Sequence, residues 1–374
     1  MSLSSSSRQV KKVLTFLRRV PPALRWRIER RLVPVKRSSL RRAAAAQAVR
    51  TRRALRPASG RGSTARPLVL RLANAHGSLQ PELRWFAEEV NTASDGAVRI
   101  SFVNNWTTPE NLREETATML SVMKNRADLG WAGTRAFGCL GVRSLDPLQA
   151  PLLFDGYESV AAACRNDLTA EMLEPLERLG LHGLVVLPGP LRKPFAFTRR
   201  LLGPRDYEGT RLRIHESLVA EVTYRALGAE AVVLSVRQMA YQPETRVDGF
   251  DLQIEALAGW RLAGSITYNV NLWPRTIAIT ASQRSYSRLG ASERDVLEIA
   301  ARQTLSRSLE HLRDQEQRDL DALPASVNPI YASDEQVADL RERVEPAYED
   351  LRRHPDTRSF MARLETIASR RRIS

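Results

Sequence analysis

Leu68-Val69-Leu70-Arg71-Leu72-Ala73, followed by Val98 to Val103 and then Ala127-Asp128-Leu129-Gly130-Trp131, is the stretch that decides the fold. Each run is short and largely apolar, as strands are. Between the first two, Leu83, Phe86, Ala87 and Val90 recur at helical spacing. Between the second and third, Thr108 is expected to cap a helix with Pro109 at its first position, its apolar face made by Met119, Val122 and Met123. Strand–helix–strand–helix–strand in this order requires parallel pairing, so the chain reads as α/β.

The alternation pauses at Pro147 to Phe154, then continues from Asp155, where an N-cap signature opens a helix expected to reach about Leu179. Strands are expected at 182–187, 195–198, 212–214, 231–234, 265–271 and 276–280, with helices at 217–227 and 236–241. Ser292 starts a long helix with Val296, Ile299, Ala300, Leu309 and Leu312 on one side, and Ser333 with Gln336 forms a capping box before the final helical segment. Two α/β units linked by more than one crossing make a cleft whose floor is the hinge, and such sheets bind ligands beyond the carboxyl ends of their strands. Those ends fall at 74–76, 104–106, 131–134, 213–215 and 248–251. The first lobe is expected over about 67–190 with a returning segment near 274–330, and the second over about 191–273 with the C-terminal helices.

The chain has 374 residues, 43% apolar, and a net charge of +15. That charge is local: residues 1–66 hold 19 Lys and Arg against Glu29 alone, while the remainder holds 38 basic and 41 acidic side chains. The body offers no basic stripe, so nucleic acid is not an expected partner. The leader is too polar to pack a core and is expected to be disordered. Three readings of it stay open: a misplaced start over a lost signal peptide, an unusual export leader, and a basic binding arm. No run of 18 apolar residues occurs, so no spanning helix is expected. Cys139 and Cys164 lack zinc or redox spacing, and read as small buried hydrophobes, with one bridge left open.

Catalytic signatures fail one by one. No Gly-x-Ser-x-Gly elbow occurs, and Gly130-Trp-Ala-Gly133 and Gly138-Cys-Leu-Gly141 lack both the dinucleotide order and a Walker Lys-Ser/Thr pair. The five histidines show no metal spacing, so no metal or cofactor is expected. The acidic pairs Glu88-Glu89 and Glu114-Glu115 read as solvated helix faces. His76 stands at a predicted strand end, and Trp131 is a candidate stacking surface.

The segment from Tyr207 to Asp251 carries the ligand chemistry. Tyr207-Glu-Gly-Thr-Arg-Leu-Arg-Ile214 places Arg213 at the end of a short strand after a glycine turn, where its planar fork of donors matches a carboxylate bidentately. Leu227-Gly-Ala229 and Val247-Asp-Gly249 follow. With Leu72-Ala-Asn-Ala-His-Gly77, Gly96-Ala-Val-Arg-Ile100, Lys124-Asn-Arg-Ala-Asp-Leu-Gly130 and Pro151-Leu-Leu-Phe154, their order over about Leu68 to Leu351 resembles the solute-binding proteins of tripartite ATP-independent (TRAP) transporters, of the dicarboxylate-binding type.

The resemblance implies a two-lobe periplasmic-binding-protein-like fold with hinge strands, a long C-terminal helix and a cleft between the lobes. It implies that Arg213 binds the carboxylate of an organic acid, that Arg192 with Lys193 supplies a second cleft cation, and that a TRAP membrane permease is the partner. An extracytoplasmic monomer is expected, although the export signal is not clear in the sequence. Where the family has Gln-Glu-Asn-Pro after Val-Asp-Gly, this chain has Phe250-Asp251-Leu252-Gln253, so the ligand-contacting asparagine is replaced and Asp251, Asn269 and Asn271 become the candidates. The rival reading is an enzyme that holds a small carboxylic acid in the same kind of cleft, since fold alone does not fix function.

Overall fold

The computed structural model describes residues 66–372 except 109, 166, 261 and 313. The chain divides into two units, Met1–Leu68 and Val69–Ser374. Nearly all of the leader lies outside the described residues, as does Pro109 of the expected cap.

Strands β1 (Leu68–Ala73), β2 (Val98–Val103), β3 (Leu129–Gly133) and β4 (Leu181–Leu187) are joined by β11 (Ile277–Ser282) in a five-stranded sheet of order β2-β1-β3-β11-β4. β1 and β3 run parallel, as the opening alternation demands. β11 enters antiparallel between β3 and β4, which the sequence pattern did not foretell. The second sheet has the order β12-β9-β5-β8-β6-β7, built from β5 (Leu191–Ala196), β6 (Arg211–Ile214), β7 (Glu230–Val233), β8 (Gly249–Leu252), β9 (Gly264–Thr267) and β12 (Val327–Ile330), with the two-residue β10 (Trp273–Pro274) beside β5. β12 lies in the span expected to return to the first lobe, yet it pairs with β9 in the second sheet.

The two sheets define two lobes, and the chain passes between them at 188–190, at 275–276 and again between the helix Ala291–Leu312 and β12. The first core gathers Met119, Val122, Phe137, Leu148 and Met172, and the second gathers Tyr207, Leu212, Tyr224 and Trp273 beside a cluster around Phe195, Phe250 and Leu257. Helix Pro81–Ala93 buries Leu83, Phe86 and Val90 at its helical repeat. It packs against the long helix Ala291–Leu312. That helix buries Leu297, Ala300, Ala301, Thr304 and Ser308. Ile299, expected on the buried side, is 40% exposed, since the buried face runs through Leu297, Ala300, Ala301 and Thr304 and leaves position 299 off it.

Three local expectations need correction. The helix expected from Thr108 begins at Glu114, while the Thr108 carbonyl accepts a turn bond from the Asn111 N–H. The single helix expected over 155–179 is three pieces, Tyr157–Arg165, Leu168–Leu173 and a 3-10 turn Glu174–Leu179; Pro175 removes a backbone donor and left-handed Gly180 ends the run. The strand expected at 195–198 starts at Leu191 instead. Pro194 fits inside it because β5 changes neighbours there: Leu191 and Arg192 face β10, whereas Phe195 and Ala196 face β9.

The family-like motifs are what set the second sheet's register. Gly209 and Gly228 both hold positive φ, and the Gly209 N–H donates to the Gly228 carbonyl at 2.9 Å, fixing β6 beside β7. Asp248 accepts from the Arg211 N–H at 2.7 Å and returns its own N–H to the Arg211 carbonyl at 2.8 Å, fixing β6 beside β8. Gly249 leaves room for β5, since a Cβ there would lie 2.2 Å from the Phe195 carbonyl oxygen. That neighbour is backbone, so the strands would have to part. Gly249→Ala is therefore expected to cost about 1–3 kcal/mol, read as a lower midpoint in denaturant unfolding; an unchanged midpoint would contradict the register argument.

Candidate functional site

Between the lobes lie two adjoining pockets that share Arg135 and His215 as a common wall. The first, with about 350 Å³ of empty space including space open to solvent, is walled by Arg192, Asp251, Trp273, Arg275, Gln149 and Ser217, among others. The second is walled by Arg213, Glu114, Glu115, Glu216 and the ends of β6 and β7. Of the five predicted strand ends, those at 131–134, 213–215 and 248–251 contribute residues to these walls.

Arg213 sits on β6 with only 6% of its surface exposed. Its Nη2 donates to His215 Nδ1 at 3.3 Å and to the Leu234 carbonyl at 3.4 Å, and its Nε is buried with no acceptor in the protein. Because a guanidinium can only donate, Nδ1 of His215 must be the unprotonated nitrogen. Burial, then the neighbouring Arg213, pushes the His215 pKa well below its ordinary value, so that ring is neutral. Burial, reinforced by Arg192, lowers the Arg213 pKa to about 10. It stays charged at neutral pH, and the lowering measures how poorly this wall tolerates the charge.

Arg192 and Lys193 are neighbours on β5, so the pleat sends them to opposite faces. Arg192 reaches the pocket wall, where its Nε meets the Asp251 carboxylate and its Nη2 donates to the Asp251 carbonyl at 2.7 Å. Trp273 Nε1 at 3.2 Å and the Tyr224 hydroxyl at 3.4 Å complete the bonds to Asp251, which thus acts as a held counterion in the wall. Lys193 turns away: its Nζ donates to the Tyr268 carbonyl and to Asn271 Oδ1, both at 2.6 Å, and lies 4.6 Å over the Tyr268 ring. Asn271 also donates to the Asp155 carbonyl, and Asn269 pairs with the Ala332 backbone through both its amide atoms. The structure therefore places Lys193, Asn269 and Asn271 in ties between segments, away from the pocket walls.

His76 and Trp131 stand behind the second pocket. Trp131 is 2% exposed, donates from Nε1 to Asn74 Oδ1 at 2.9 Å, and its ring lies 5.4 Å from that of His76. His76 approaches Glu114 at 3.5 Å and Glu115 at 3.6 Å. Burial opposes its protonation, but the hydrogen bond to Glu115 and the Glu114 charge outweigh burial and raise its pKa. Glu115 is thus buried and Glu114 half-buried, both on the pocket wall and not the solvated face expected of them. They open the helix Glu114–Met123, whose N-terminal dipole favours carboxylates.

Arg135 and Arg275 escaped sequence reading altogether. Arg135 Nη2 donates to Glu115 Oε1 at 2.8 Å, and the other Glu115 oxygen accepts from the Gly133 N–H at 2.8 Å. Arg275 pairs with Glu82 from a position on the second lobe crossing. Both guanidiniums occupy space vacated by a glycine: a Cβ on Gly133 would lie 1.7 Å from Arg135 Nη1, and one on Gly189 would lie 2.5 Å from Arg275 Nη2. Gly133-Thr-Arg135 was the legible trace, but nothing in the sequence shows which way that glycine faces. Among the described residues, no group of three or more His, Cys, Asp or Glu could hold a metal ion.

Two α/β sheets joined by crossing strands around a charged cleft define the two-lobe class of solute-binding folds. The chain belongs to the family described as bacterial extracellular solute-binding protein, family 7 (DctP), whose model matches residues 73–354. A C4-dicarboxylate-binding periplasmic protein DctP from Rhodobacter capsulatus is 25% identical over 186 residues, 49% of this chain and 54% of that relative, so the match spans about half of the relative's length. Similar solved structures include a TRAP periplasmic solute-binding protein from Ralstonia eutropha H16 with bound (S)-2-acetolactate (TM-score 0.68, 16% identity, 81% of this chain and 99% of that one). They also include a sugar acid binding protein from Advenella mimigardefordensis in complex with galactonate (TM-score 0.68, 20% identity, 81% and 98%). A TRAP protein from Sulfurospirillum deleyianum with bound succinate aligns at TM-score 0.67 and 15% identity, covering 80% and 99%.

The buried acid cluster has a pH consequence. Burial alone would raise the Glu115 pKa, but Arg135 and His76 overcome it and hold the carboxyl well below its ordinary 4.5. A depressed folded-state pKa contributes stability that is present above the unfolded value of 4.5 and lost as the pH falls toward the folded value. Glu115→Gln lacks that contribution. Thermal melts should show the variant well below wild type at about pH 6 and the gap shrinking by about pH 3; a gap independent of pH would refute the assignment.

Proposed function

We propose that this chain is an extracytoplasmic solute-binding protein that captures a small organic acid through Arg213 and delivers it, unchanged, to a TRAP-type membrane permease. Arg213 carries the reading: a guanidinium 6% exposed on a cleft wall, with a buried Nε–H that meets no acceptor in the protein. Such a group is costly to bury and gains most from an anion that completes it. A carboxylate does so with two parallel charge-assisted bonds.

Family membership and the sugar-acid, keto-acid and dicarboxylate complexes of similar structures support the ligand class. Arg192, with its charge returned to Asp251, is assigned to shaping the first pocket. His76 and Trp131 are assigned to holding Glu114 and Glu115 in place behind the second. Lobe closure over the bound acid then supplies the state that the permease reads.

Removing one partner of a desolvated charge pair costs about 2–5 kcal/mol. Arg213→Ala is expected to weaken binding of the acid by well over tenfold in titration calorimetry. Arg213→Lys should fail to restore it, because an ammonium cannot make the two parallel bonds. Unchanged affinity in Arg213→Ala would refute the assignment.

A further inference from the structure

The cleft walls hold four guanidiniums, and three of them are already neutralised inside the protein. Arg135 is paired with Glu115 at 2.8 Å, Arg192 with Asp251, and Arg275 with Glu82. The wall's other carboxylates are committed elsewhere: Glu114 faces His76 at 3.5 Å, and Glu216 is held by Arg113 at 3.1 Å and by the Thr116 hydroxyl at 2.7 Å. Among the described residues, Arg213 alone of the four has no carboxylate oxygen within 4 Å. Arg213 is therefore the one cleft guanidinium of the four without a carboxylate of its own.

Resting on the anion-capture reading above, we infer that the ligand carries one negative charge: a monocarboxylate whose other oxygens are uncharged hydroxyl or keto groups. Arg213 takes the carboxylate. A second carboxylate entering the first pocket would find only guanidiniums that already hold one, and would leave either itself or Asp251, Glu82 or Glu115 as a buried anion without a counterion. Neutral oxygens meet a different reception. Arg135 Nε and Arg275 Nε and Nη1 are buried donors with no acceptor in the protein, and a hydroxyl or carbonyl oxygen satisfies such a donor without adding charge. The rest of the lining matches, since Thr134 bonds Thr276 at 2.6 Å and Ser217 bonds Gln149 at 2.6 Å, hydroxyl and amide groups able to take a further uncharged partner.

The test uses the full chain and compounds matched in length that differ at their ends in charge. Gluconate, glucarate and gluconamide form one set, and 4-hydroxybutyrate, succinate and 4-hydroxybutyramide another. Thermal-shift screening at neutral pH is followed by calorimetry on each set that stabilises the protein. The expected result is that the monoanion binds at least tenfold more tightly than both its dianion and its amide. A dianion binding within tenfold of its monoanion, with the amide weak, overturns the single-charge inference and leaves anion capture standing. An amide that binds as well as its acid, or no stabilisation by any member, overturns anion capture and this inference with it.

Discussion

A positive charge that the fold buries and does not neutralise is the constraint around which this cleft is organised. In a low-dielectric wall an unpaired guanidinium is destabilising by several kcal/mol in order of magnitude, and the protein meets only part of that cost. His215 offers a lone pair from a ring kept neutral by burial and by Arg213 itself, and the Leu234 carbonyl adds a second dipole. Neither is a countercharge. The neighbouring guanidiniums are treated differently, each being given a carboxylate of its own. The wall thus neutralises Arg135, Arg192 and Arg275 and leaves Arg213 with dipoles alone; on the anion-capture reading, that is the position the ligand completes.

How the fold places that charge explains why it was legible. The segments Glu208-Gly-Thr, Leu227-Gly-Ala and Val247-Asp-Gly are separated by tens of residues, yet each fixes the register of a strand against β6. The two positive-φ glycines bring β7 alongside, Asp248 clasps the backbone of Arg211, and Gly249 admits β5. The motifs are scaffolding, and glycine-and-acid turns of that kind leave a clear trace in sequence because so few residues can replace them. The place of Arg213 on the pocket wall was legible because the turn before it was. The parallel β1–β3 pairing was legible for a similar reason, since hydrophobic alternation and helix spacing fix it locally.

What escaped reading depends on direction more than on pattern. Arg192 and Lys193 are adjacent and chemically alike, and only the pleat of β5 decides that one meets Asp251 on the pocket wall while the other ties Tyr268 to Asn271. That pleat was hidden because two prolines in Gly189-Pro-Leu-Arg-Lys-Pro194 argue against a strand, and it is the change of neighbours from β10 to β9 that lets Pro194 stay. Glu114 and Glu115 read as solvated because acid pairs on helices usually are. Here the helix begins at Glu114, so both carboxylates fall in the first turn and face inward, where Arg135 and His76 meet them. Arg135 opens the four-residue helix Arg135–Gly138 and Arg275 lies in the connection between β10 and β11, and positions so short of regular structure carry no periodicity to betray them.

The contacts that join the lobes at the mouth of the cleft bear on how a captured acid could matter. Glu216, just beyond the Arg213 strand, meets Arg113 and Thr116 at the start of the opposite helix, and Arg237 meets Glu110. Arg113 is 72% exposed and Arg237 and Glu110 about half exposed, so these ion pairs are worth little, roughly 0–1 kcal/mol each. Contacts that weak can guide the lobes together without holding them. Inside, Arg213 on one lobe faces Glu114, Glu115 and Arg135 on the other across a shared pocket. An anion placed there interacts with a charge that nothing else neutralises, in surroundings where water screens poorly, and that interaction is strong only when both walls are in place. On the anion-capture reading, the ligand's differential affinity for the closed arrangement is therefore the largest adjustable term in the balance between open and closed lobes, larger than any rim contact. On the same reading the pairing of the other three arginines matters too, since four unpaired cations converging there would repel one another and oppose closure.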